Sequence, residues 1–236
     1  MKTVGIIGFG SFGSFLARKL AGFVMMRVYD PNQQVPAELS ASLLEVCESD
    51  YVVLAIPVSA YEAVLTEVSA LLGIDSVVVD ISSVKSIPNQ ILGQHLQGRK
   101  KVVTHPLFGP QSAEDSFDGH VVVMCPDVSN SDAYSQIKNF VQELGLKVIE
   151  KTPEEHDKEM ALAQGLTFYL ARALLRSGVH DIELLTPSFK KLLDLAELES
   201  HHSEDLFRTI QLSNPYTAEI RQKFIDIATN LNEELS

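Results

Sequence analysis

The chain has 236 residues, 45% of them hydrophobic and 21% charged, which excludes a disordered protein and allows one large domain or a larger and a smaller one. Its 31 acidic residues outnumber 19 basic ones, and a net charge of −12 argues against nucleic acid or an anionic membrane surface as a partner. Cys47 and Cys125 show no CxxC spacing and no histidine cluster, so we expect no disulfide framework, no metal site and a reducing cytoplasm. No apolar run approaches the length of a bilayer span, and we expect neither a signal peptide nor a membrane helix.

Short apolar runs alternate with helix-like stretches over the first 150 residues. The early runs are nearly continuous in Val, Ile and Leu, and they alternate with amphipathic segments such as Phe12–Leu20 and Ala60–Leu71. This pattern favours a parallel sheet covered by helices. The sequence therefore predicts an α/β fold with a Rossmann-type dinucleotide-binding domain over residues 1–150. The predicted strands are Thr3–Ile7, Met25–Tyr29, Tyr51–Ile56, Ser76–Ile81, Lys101–Thr104, His120–Met124 and Lys147–Ile149.

Strand signals stop after Ile149, and residues 151–236 are predicted to form a smaller, all-α helical domain. A helix start is indicated by Thr152 as N-cap, Pro153 at the first helical position and Glu155 two residues later. We expect helices near 153–178, 188–200, 203–212 and 215–234, the last one capped by Asn214. About eighty residues with apolar stripes provide little core, so we expect a homodimer formed through this helical domain.

The first predicted strand is followed directly by a glycine-rich turn at the start of a predicted helix. Gly8, Gly10 and Gly13 match the GxGxxG pattern, and Ser11 and Phe12 lie between the last two glycines. In this context the glycines permit a tight turn, a close approach of a pyrophosphate and close packing of helix on strand. We predict cofactor binding here, against the alternative of a glycine-rich turn that holds no ligand.

The second predicted strand leads into Asp30, about twenty residues beyond the glycine-rich turn. A carboxylate at this place accepts hydrogen bonds from the adenosine ribose hydroxyls and repels a 2′-phosphate, so the predicted cofactor is NAD rather than NADP. Ile56 ends the strand predicted over Tyr51–Ile56 and Pro57 follows it, and we expect both to make apolar contact with the cofactor. The alternative for Pro57 is that it merely ends a strand.

The segment Thr104–Pro110 contains His105 and is rich in residues that fix the backbone, so we predict that His105 sits on a rigid loop that follows a strand. A neutral imidazole can take a proton from a hydroxyl while the adjacent carbon gives up hydride. A structural histidine is the alternative for this residue taken alone.

Four characteristic segments occur in order along the chain. They are the glycine-rich turn, the SVK segment that ends at Lys85, the THPLFGP segment around His105, and the EHD segment that begins at Glu155. Together these segments resemble the prephenate and arogenate dehydrogenases. The resemblance implies a dinucleotide-binding domain, a helical dimerisation domain and oxidative decarboxylation of a cyclohexadienyl substrate to 4-hydroxyphenylpyruvate or tyrosine.

The same resemblance implies the roles of the catalytic residues. His105 takes the proton of the ring hydroxyl while hydride leaves for NAD, and Ser83 is similar in position to a family serine that hydrogen-bonds the histidine or the substrate hydroxyl. From the residues alone, Ser83 could equally cap the following helix. Lys85 could approach the nicotinamide or a substrate carboxylate, or it could be a solvated lysine.

Two further candidates for substrate contact lie in the helical part. His156 falls in the first turn of the helix that Pro153 begins, and Met160, Gln164 and Phe168 follow on its face at helical spacing. Gln164 is the one polar group among these three, so we expect it to face the cleft. His156 could instead only orient the junction between the domains.

The chain also departs from the family pattern. Phe168 stands where many bacterial relatives carry a histidine that reaches the substrate. Lys190 stands in a segment that resembles the stretch in which the family has an arginine that grips the side-chain carboxylate, and lysine lacks the bidentate fork of arginine. The alternative for Lys190 and Lys191 is an exposed basic pair.

Three functions remain open from the sequence. The first is the prephenate or arogenate dehydrogenase of tyrosine biosynthesis. The second is a related NAD-dependent oxidoreductase that acts on another small carboxylic acid. The third is a regulator that binds NAD without catalysis.

Overall fold

The computed structural model describes residues 1–178 and 182–236. The chain divides into two compact units, Met1–Glu154 and Glu155–Ser236, and each is described by itself below. The first unit is built on one sheet of seven strands in the order β2-β1-β3-β4-β5-β6-β7. Its strands are β1 (Thr3–Ile7), β2 (Met25–Tyr29), β3 (Tyr51–Leu54), β4 (Val77–Asp80), β5 (Lys100–Pro106), β6 (Val121–Cys125) and β7 (Lys147–Glu150).

Helices cover both faces of the sheet and bury two hydrophobic clusters. Because side chains alternate along a strand, β1 supplies Ile6 to the first cluster and Ile7 to the second. Phe15 anchors the first helix on one face, and Leu65 anchors the third helix on the other. The helices of this unit are α1 (Ser11–Leu20), α2 (Leu43–Cys47), α3 (Tyr61–Leu71), α4 (Ser86–His95) and α5 (Ser131–Glu143).

The predicted α/β class is confirmed, but the sheet is not wholly parallel. β5 and β6 run antiparallel, with His105 in register with Val123, while the other neighbouring strands are parallel. A connection of fourteen residues, 107–120, joins β5 to β6 without a helix, and an antiparallel pair needs no helical crossover. The expected parallel sheet is therefore confirmed for most of its strands and departs from the parallel arrangement at this one pair.

The second unit is helical among its described residues. Helix α6 (Pro153–Met160) begins at the proline predicted for its first position. A π-helical segment (Ala161–Leu166) follows and leads directly into α7 (Thr167–Arg176). The remaining helices are α8 (Pro187–Ser200), α9 (Glu204–Leu212) and α10 (Thr217–Glu234).

Polar side chains accept backbone N–H groups at the start of α8 and α9 and just before α10. Thr186 caps α8 by accepting the backbone N–H of Phe189, and Ser203 caps α9 in the same way. Asn214 accepts the backbone N–H of Tyr216, but α10 begins only at Thr217. The predicted cap residue therefore stabilises the turn before the helix.

The π-helical segment was not foreseen, and it changes which residues share a face. Its carbonyl at Gly165 accepts a hydrogen bond of 2.7 Å from the Gln211 side chain. A Cβ at Gly165 would lie 2.9 Å from a side-chain carbon of Thr217, so only glycine lets α10 approach this closely. A π-helical turn holds about one residue more than an α-helical turn. The single face predicted for His156, Gln164 and Phe168 therefore does not continue through the segment.

Candidate functional site

The candidate site of the first unit lies at one edge of the sheet. Strands β1, β3, β4 and β5 are mutually parallel, so their carboxyl ends meet at the same edge. The chain moves outward from β1 to β2 and then returns to place β3 on the other side of β1. Such a reversal of strand order opens a crevice beside the carboxyl ends, where ligands bind in open α/β sheets.

The glycine-rich turn joins β1 to α1. Gly8 adopts a positive φ of 104°, and a Cβ there would lie 2.4 Å from the carbonyl oxygen of Ala55. A Cβ at Gly13 would lie 2.1 Å from the carbonyl oxygen of Gly8, so both positions require glycine for packing.

Gly10 differs from these two glycines because it faces open space. It is the N-cap of α1, no side chain caps the helix there, and nothing lies within 4 Å of where its Cβ would be. Ser11 and Phe12 form the first turn of the helix, whose N-terminal N–H groups attract negative charge. The turn thus leaves an uncapped helix end beside a space that a side chain would fill, and this fits a diphosphate group.

Asp30 stands directly after β2 and is joined to the glycine-rich turn. One carboxylate oxygen accepts the backbone N–H of Phe9 at 2.7 Å, and the other accepts those of Asn32 and Gln33 at 2.8 and 3.0 Å. A carboxylate has about four acceptor positions, so these three bonds leave capacity for a ribose hydroxyl. The residues that follow it, Pro31 to Gln34, include no cation that would offset a 2′-phosphate.

Ile56 and Pro57 follow β3, which is the neighbour of β1 in the sheet. The side chain of Ile56 lies so close to the turn that a Cβ at Gly8 would meet it at 2.8 Å. Pro57 is exposed and precedes a short 3-10 turn over Val58–Ala60. Both residues therefore lie at the same sheet edge as the glycine-rich turn.

His105 lies inside β5, not on the loop that we predicted. The pairing with β6 extends the strand through Pro106, and a strand end fixed by a second ladder needs no special turn residues. His105 is 4% exposed. Its rigidity, which the sequence attributed to the prolines that follow, comes from the sheet.

An aromatic cluster links the segment after His105 to the first turn of α1. The rings of Phe12 and Phe108 lie 6.1 Å apart, those of Phe108 and Phe117 lie 5.7 Å apart, and Phe117 meets Phe15 edge to face at 5.9 Å. The side chain of Phe12, predicted as a cofactor contact, therefore packs in this cluster. Its backbone N–H remains at the helix N-terminus, where the cofactor contact was expected.

The turn after β4 carries Ser83. Helix α4 begins at Ser86 with Lys85 as its N-cap residue, so Ser83 is not the cap that one alternative envisaged. Ser83 is half-buried, and its hydroxyl makes no hydrogen bond within the described part of the chain. Ser82 instead stabilises the turn, because its hydroxyl donates to the carbonyl of Val84 at 2.9 Å.

Lys85 is fully buried, which disagrees with the predicted contact to a substrate carboxylate. Its ammonium group pairs with Asp80, also fully buried, and donates to the Thr104 carbonyl at 2.5 Å. Tyr61 donates to the other oxygen of Asp80 at 2.6 Å. Asp80 and Tyr61 were not among the predicted site residues, although the acidic residue that ends the buried strand VVVD was a visible signal for Asp80.

The predicted substrate residues of the second unit occupy three different settings. His156 is buried, and its Nδ1 lies 2.8 Å from an oxygen of Asp157. Gln164 lies in the π-helical segment, and its Oε1 is buried without a hydrogen-bond partner in the described residues. Lys190 is exposed on α8, as the alternative reading had it. Phe168 is buried, and its ring stacks on His202 at 5.0 Å.

Three further features concern metal ligands, membrane-spanning helices and the two cysteines. No group of three or more His, Cys, Asp or Glu side chains in residues 1–178 and 182–236 is arranged to hold a metal ion. No helix in those same ranges is long and apolar enough to cross a bilayer. Cys47 and Cys125 are both buried and form no disulfide.

Comparison with known proteins identifies relatives over nearly the whole chain. A family model described as "Prephenate dehydrogenase, nucleotide-binding domain" matches residues 31–150. A probable arogenate/prephenate dehydrogenase of Methanocaldococcus jannaschii is 29% identical over 98% of this chain, which spans 56% of that protein. Arogenate dehydrogenase 2 of Arabidopsis thaliana is 27% identical over 98% of this chain, which spans 69% of that protein. The chain therefore spans about half to two thirds of the length of these relatives.

Solved structures share the fold. The prephenate dehydrogenase of A. aeolicus, in complex with hydroxyphenyl propionate and NAD+, aligns with a TM-score of 0.77 and 24% identity over 100% of this chain and 90% of that chain. A structure from Corynebacterium glutamicum, described as a putative prephenate dehydrogenase, aligns with a TM-score of 0.80 and 19% identity, covering 100% of this chain and 82% of that chain. At these identities the likeness concerns the fold.

Proposed function

The chain belongs to the prephenate dehydrogenase family, and on that premise we propose that it is an NAD-dependent dehydrogenase of prephenate or arogenate in tyrosine biosynthesis. The observation that carries the proposal is the meeting of four strand ends at one edge of the sheet. There the glycine-rich turn, Ile56, Ser83 and His105 follow or end β1, β3, β4 and β5. A cofactor turn and a buried histidine at one edge suit hydride transfer coupled to proton transfer.

We assign the binding of NAD to the first unit. Gly8, Gly10 and Gly13 shape the turn, and the N–H groups of Ser11 and Phe12 at the start of α1 hold the diphosphate. Asp30 accepts the adenosine ribose hydroxyls and disfavours a 2′-phosphate. Ile56 and Pro57 contact the cofactor through apolar surface.

In the proposed reaction His105 takes the proton of the ring hydroxyl, and the Ser83 hydroxyl orients that group or the histidine. Bound NAD would accept hydride from the ring carbon that carries the hydroxyl. The carboxylate on the opposite ring carbon leaves as CO2, and its bonding electrons make the ring aromatic and leave a phenolate oxygen. His105 returns the proton to that oxygen. The products are 4-hydroxyphenylpyruvate from prephenate or tyrosine from arogenate.

The second unit supplies further substrate contacts in this proposal. Gln164 carries a buried amide oxygen without a hydrogen-bond partner in the described residues, and a buried acceptor left unpaired costs about 1 to 3 kcal/mol. A substrate hydroxyl or ammonium group would remove that cost. His156 and Lys190 are retained as weaker candidates, the first buried beside Asp157 and the second exposed.

The test is the formation of NADH from NAD with each substrate in turn. We expect turnover of prephenate, arogenate or both by the full chain. His105→Asn should lower kcat by about 10² to 10⁴-fold while the Kd for NAD stays unchanged. A matched control is His95→Asn, because His95 on α4 pairs with the exposed Glu62 on α3 and has no place in the site.

Each outcome separates the three candidate functions. Turnover of neither substrate, with NAD still bound, contradicts the proposed substrate. Activity on another small carboxylic acid would then identify a related oxidoreductase, whereas no turnover of any such acid would identify a regulator. An active His105→Asn variant would remove the histidine from the proposed mechanism.

We also propose that the chain forms a homodimer through its helical unit. Large hydrophobic side chains are exposed in this unit, and α10 alone exposes Ile225, Ile227 and Leu231. A second copy of the chain would remove this surface from water. Light scattering at micromolar concentration tests the proposal, and a monomer there would contradict it.

The proposed compartment is the reducing cytoplasm. Both cysteines are buried and form no disulfide, and an acidic chain without a disulfide framework needs no oxidising environment. Fractionation of the source cells with an antibody against the chain tests this, and a signal confined to another compartment would contradict it.

A further inference from the structure

A buried polar network lies at the carboxyl end of β4 in the first unit. The carboxylate of Asp80 accepts the Tyr61 hydroxyl at 2.6 Å, the backbone N–H of Ser82 at 3.0 Å, and the ammonium group of Lys85. The same ammonium group donates to the Thr104 carbonyl at 2.5 Å and lies 3.3 Å from the Ser82 hydroxyl. Asp80, Lys85 and Tyr61 are each fully buried.

Stability alone does not account for an ion pair in this place. Removing a carboxylate and an ammonium group from water costs several kcal/mol for each ion, and well-packed apolar residues often replace such a pair without loss. What the charges add is directional bonding, because each of the three donors of Lys85 faces a fixed acceptor. Burial raises the pKa of Tyr61 well above its usual value, with Asp80 adding to the effect, so its hydroxyl remains a donor.

The network connects β4 to β5 beyond the end of their backbone hydrogen-bond ladder. The last paired residues of that ladder are Asp80 and Val103. One residue further along β5, the Thr104 hydroxyl donates to the Asp80 carbonyl at 2.8 Å, and the Thr104 carbonyl accepts Lys85. His105 is the next residue, so the residue directly before it is held to β4 by side-chain bonds where the ladder bonds end.

Asp80 and Lys85 also contact the turn that carries Ser83. Asp80 and Lys85 both contact Ser82, the first through its backbone N–H and the second through its hydroxyl. Ser83 follows directly in the chain. A single network therefore fixes the residue before the proposed base and the residue before the proposed hydroxyl partner.

We propose, on the basis of the function proposed above, that Tyr61, Asp80 and Lys85 are positioning residues that set the distance between His105 and Ser83. They act through Thr104 and Ser82 and touch neither cofactor nor substrate. The site then depends on them because a misplacement of about 1 Å in a catalytic group can cost about 100-fold in rate.

The chain offers a control with the same residue types, but more exposed, at another strand. Glu150 on β7 accepts the Tyr134 hydroxyl at 2.7 Å and the Lys138 ammonium at 2.9 Å, which reproduces a tyrosine, a carboxylate and a lysine away from the site. Tyr61→Phe is therefore compared with Tyr134→Phe. The charge-balanced double variant Asp80→Asn/Lys85→Met is compared with Glu150→Gln/Lys138→Met.

The experiment measures kcat, the KM for NAD, the pH profile of kcat/KM and the melting temperature of all four variants. We expect kcat to fall about tenfold in Tyr61→Phe and about 100-fold in Asp80→Asn/Lys85→Met, with the KM for NAD unchanged. The pH profile of kcat/KM should shift in Tyr61→Phe and in Asp80→Asn/Lys85→Met, and it should stay unchanged in the two control variants. Wild-type kcat and pH profile in Tyr61→Phe, at an unchanged melting temperature, would overturn the proposal.

Hydrogen exchange of the peptide that contains His105 gives a readout without substrate. Positioning predicts faster exchange at the carboxyl end of β5 in Tyr61→Phe, with α3 and the rest of β4 unaffected. Faster exchange throughout these elements would indicate a merely structural role and contradict the proposal. If the wild-type chain oxidises neither substrate, the proposed function fails, and the exchange measurement still decides whether the network positions His105.

Discussion

Replacing two glycines of one turn should separate the folding of the first unit from its binding of NAD. Alanine at Gly13 places a Cβ 2.1 Å from the carbonyl oxygen of Gly8 and 3.2 Å from the Cβ of Ala55. Both neighbours belong to the packed end of the sheet, so neither can move freely. Alanine at Gly10 meets nothing within 4 Å and fills the space beside the uncapped start of α1.

The two changes should therefore have opposite signatures. Overpacking at Gly13 should cost about 1 to 3 kcal/mol of unfolding free energy. For a chain of this size that lowers the melting temperature by roughly 2 to 12 °C. At Gly10 the loss of a favourable N-cap residue costs less than about 1 kcal/mol. The Kd for NAD should nevertheless rise about tenfold or more, which corresponds to about 1.4 kcal/mol.

The assay combines thermal unfolding without ligand and titration calorimetry with NAD. Gly93→Ala is the matched control, because a Cβ at Gly93 in α4 also meets nothing within 4 Å and lies away from the turn. It should bind NAD as the wild type does. The reasoning is refuted if Gly10→Ala binds NAD with wild-type affinity, or if Gly13→Ala has the melting temperature of the wild type.

Two further predictions concern carboxylates of the first unit. Asp30→Asn should weaken the binding of NAD more than the binding of NADP. The ratio of the two KM values should shift about tenfold toward NADP, because a charged hydrogen bond to the ribose is lost. A wild-type preference for NADP would contradict this prediction. The pKa of Asp50 is lowered to about 2 by the backbone N–H of Thr3 and by Lys2, so its contribution to stability is present above the usual value of 3.8 and disappears as the pH falls through about 2. Asp50→Asn should accordingly melt below the wild type at neutral pH, and the two melting curves should converge near pH 2; a gap that persists in acid would show that Asp50 acts by other means.

The strands of the first unit could be predicted because their apolar runs are short and bounded by turns. Thr3–Ile7 and Met25–Tyr29 agree with the structure residue for residue. The direction of β6 could not be predicted in the same way, since a run of Val and Met reads alike in parallel and antiparallel strands. That one pairing decides that His105 belongs to a strand.

The candidate site was predictable where one residue type is required by local geometry. The glycines of the turn and Asp30 belong to this class. Lys85 was misjudged because its partner Asp80 was given no role, and nothing in the sequence shows that a lysine is buried. Tyr61 is separated from Asp80 by nineteen residues and meets it only through the packing of α3 on the sheet.

The prediction of which residues share a helix face in the helical unit was wrong for a different reason. Periodicity arguments assume a constant 3.6 residues per turn, and the segment Ala161–Leu166 does not have it. Gln164 therefore could be named as a polar residue of interest but not assigned to a face together with Phe168.

The π-helical segment also shows where the helical unit can lose a residue. A π-helical turn holds about one residue more than an α-helical turn, so deleting one residue within Ala161–Leu166 would convert the segment into ordinary α-helix and leave α7 in phase with α6. Deleting one residue within α7 would instead turn the side chains that follow by about 100° around the helix axis. Selection on residue number should therefore be weaker in Ala161–Leu166 than in the α-helix that follows it.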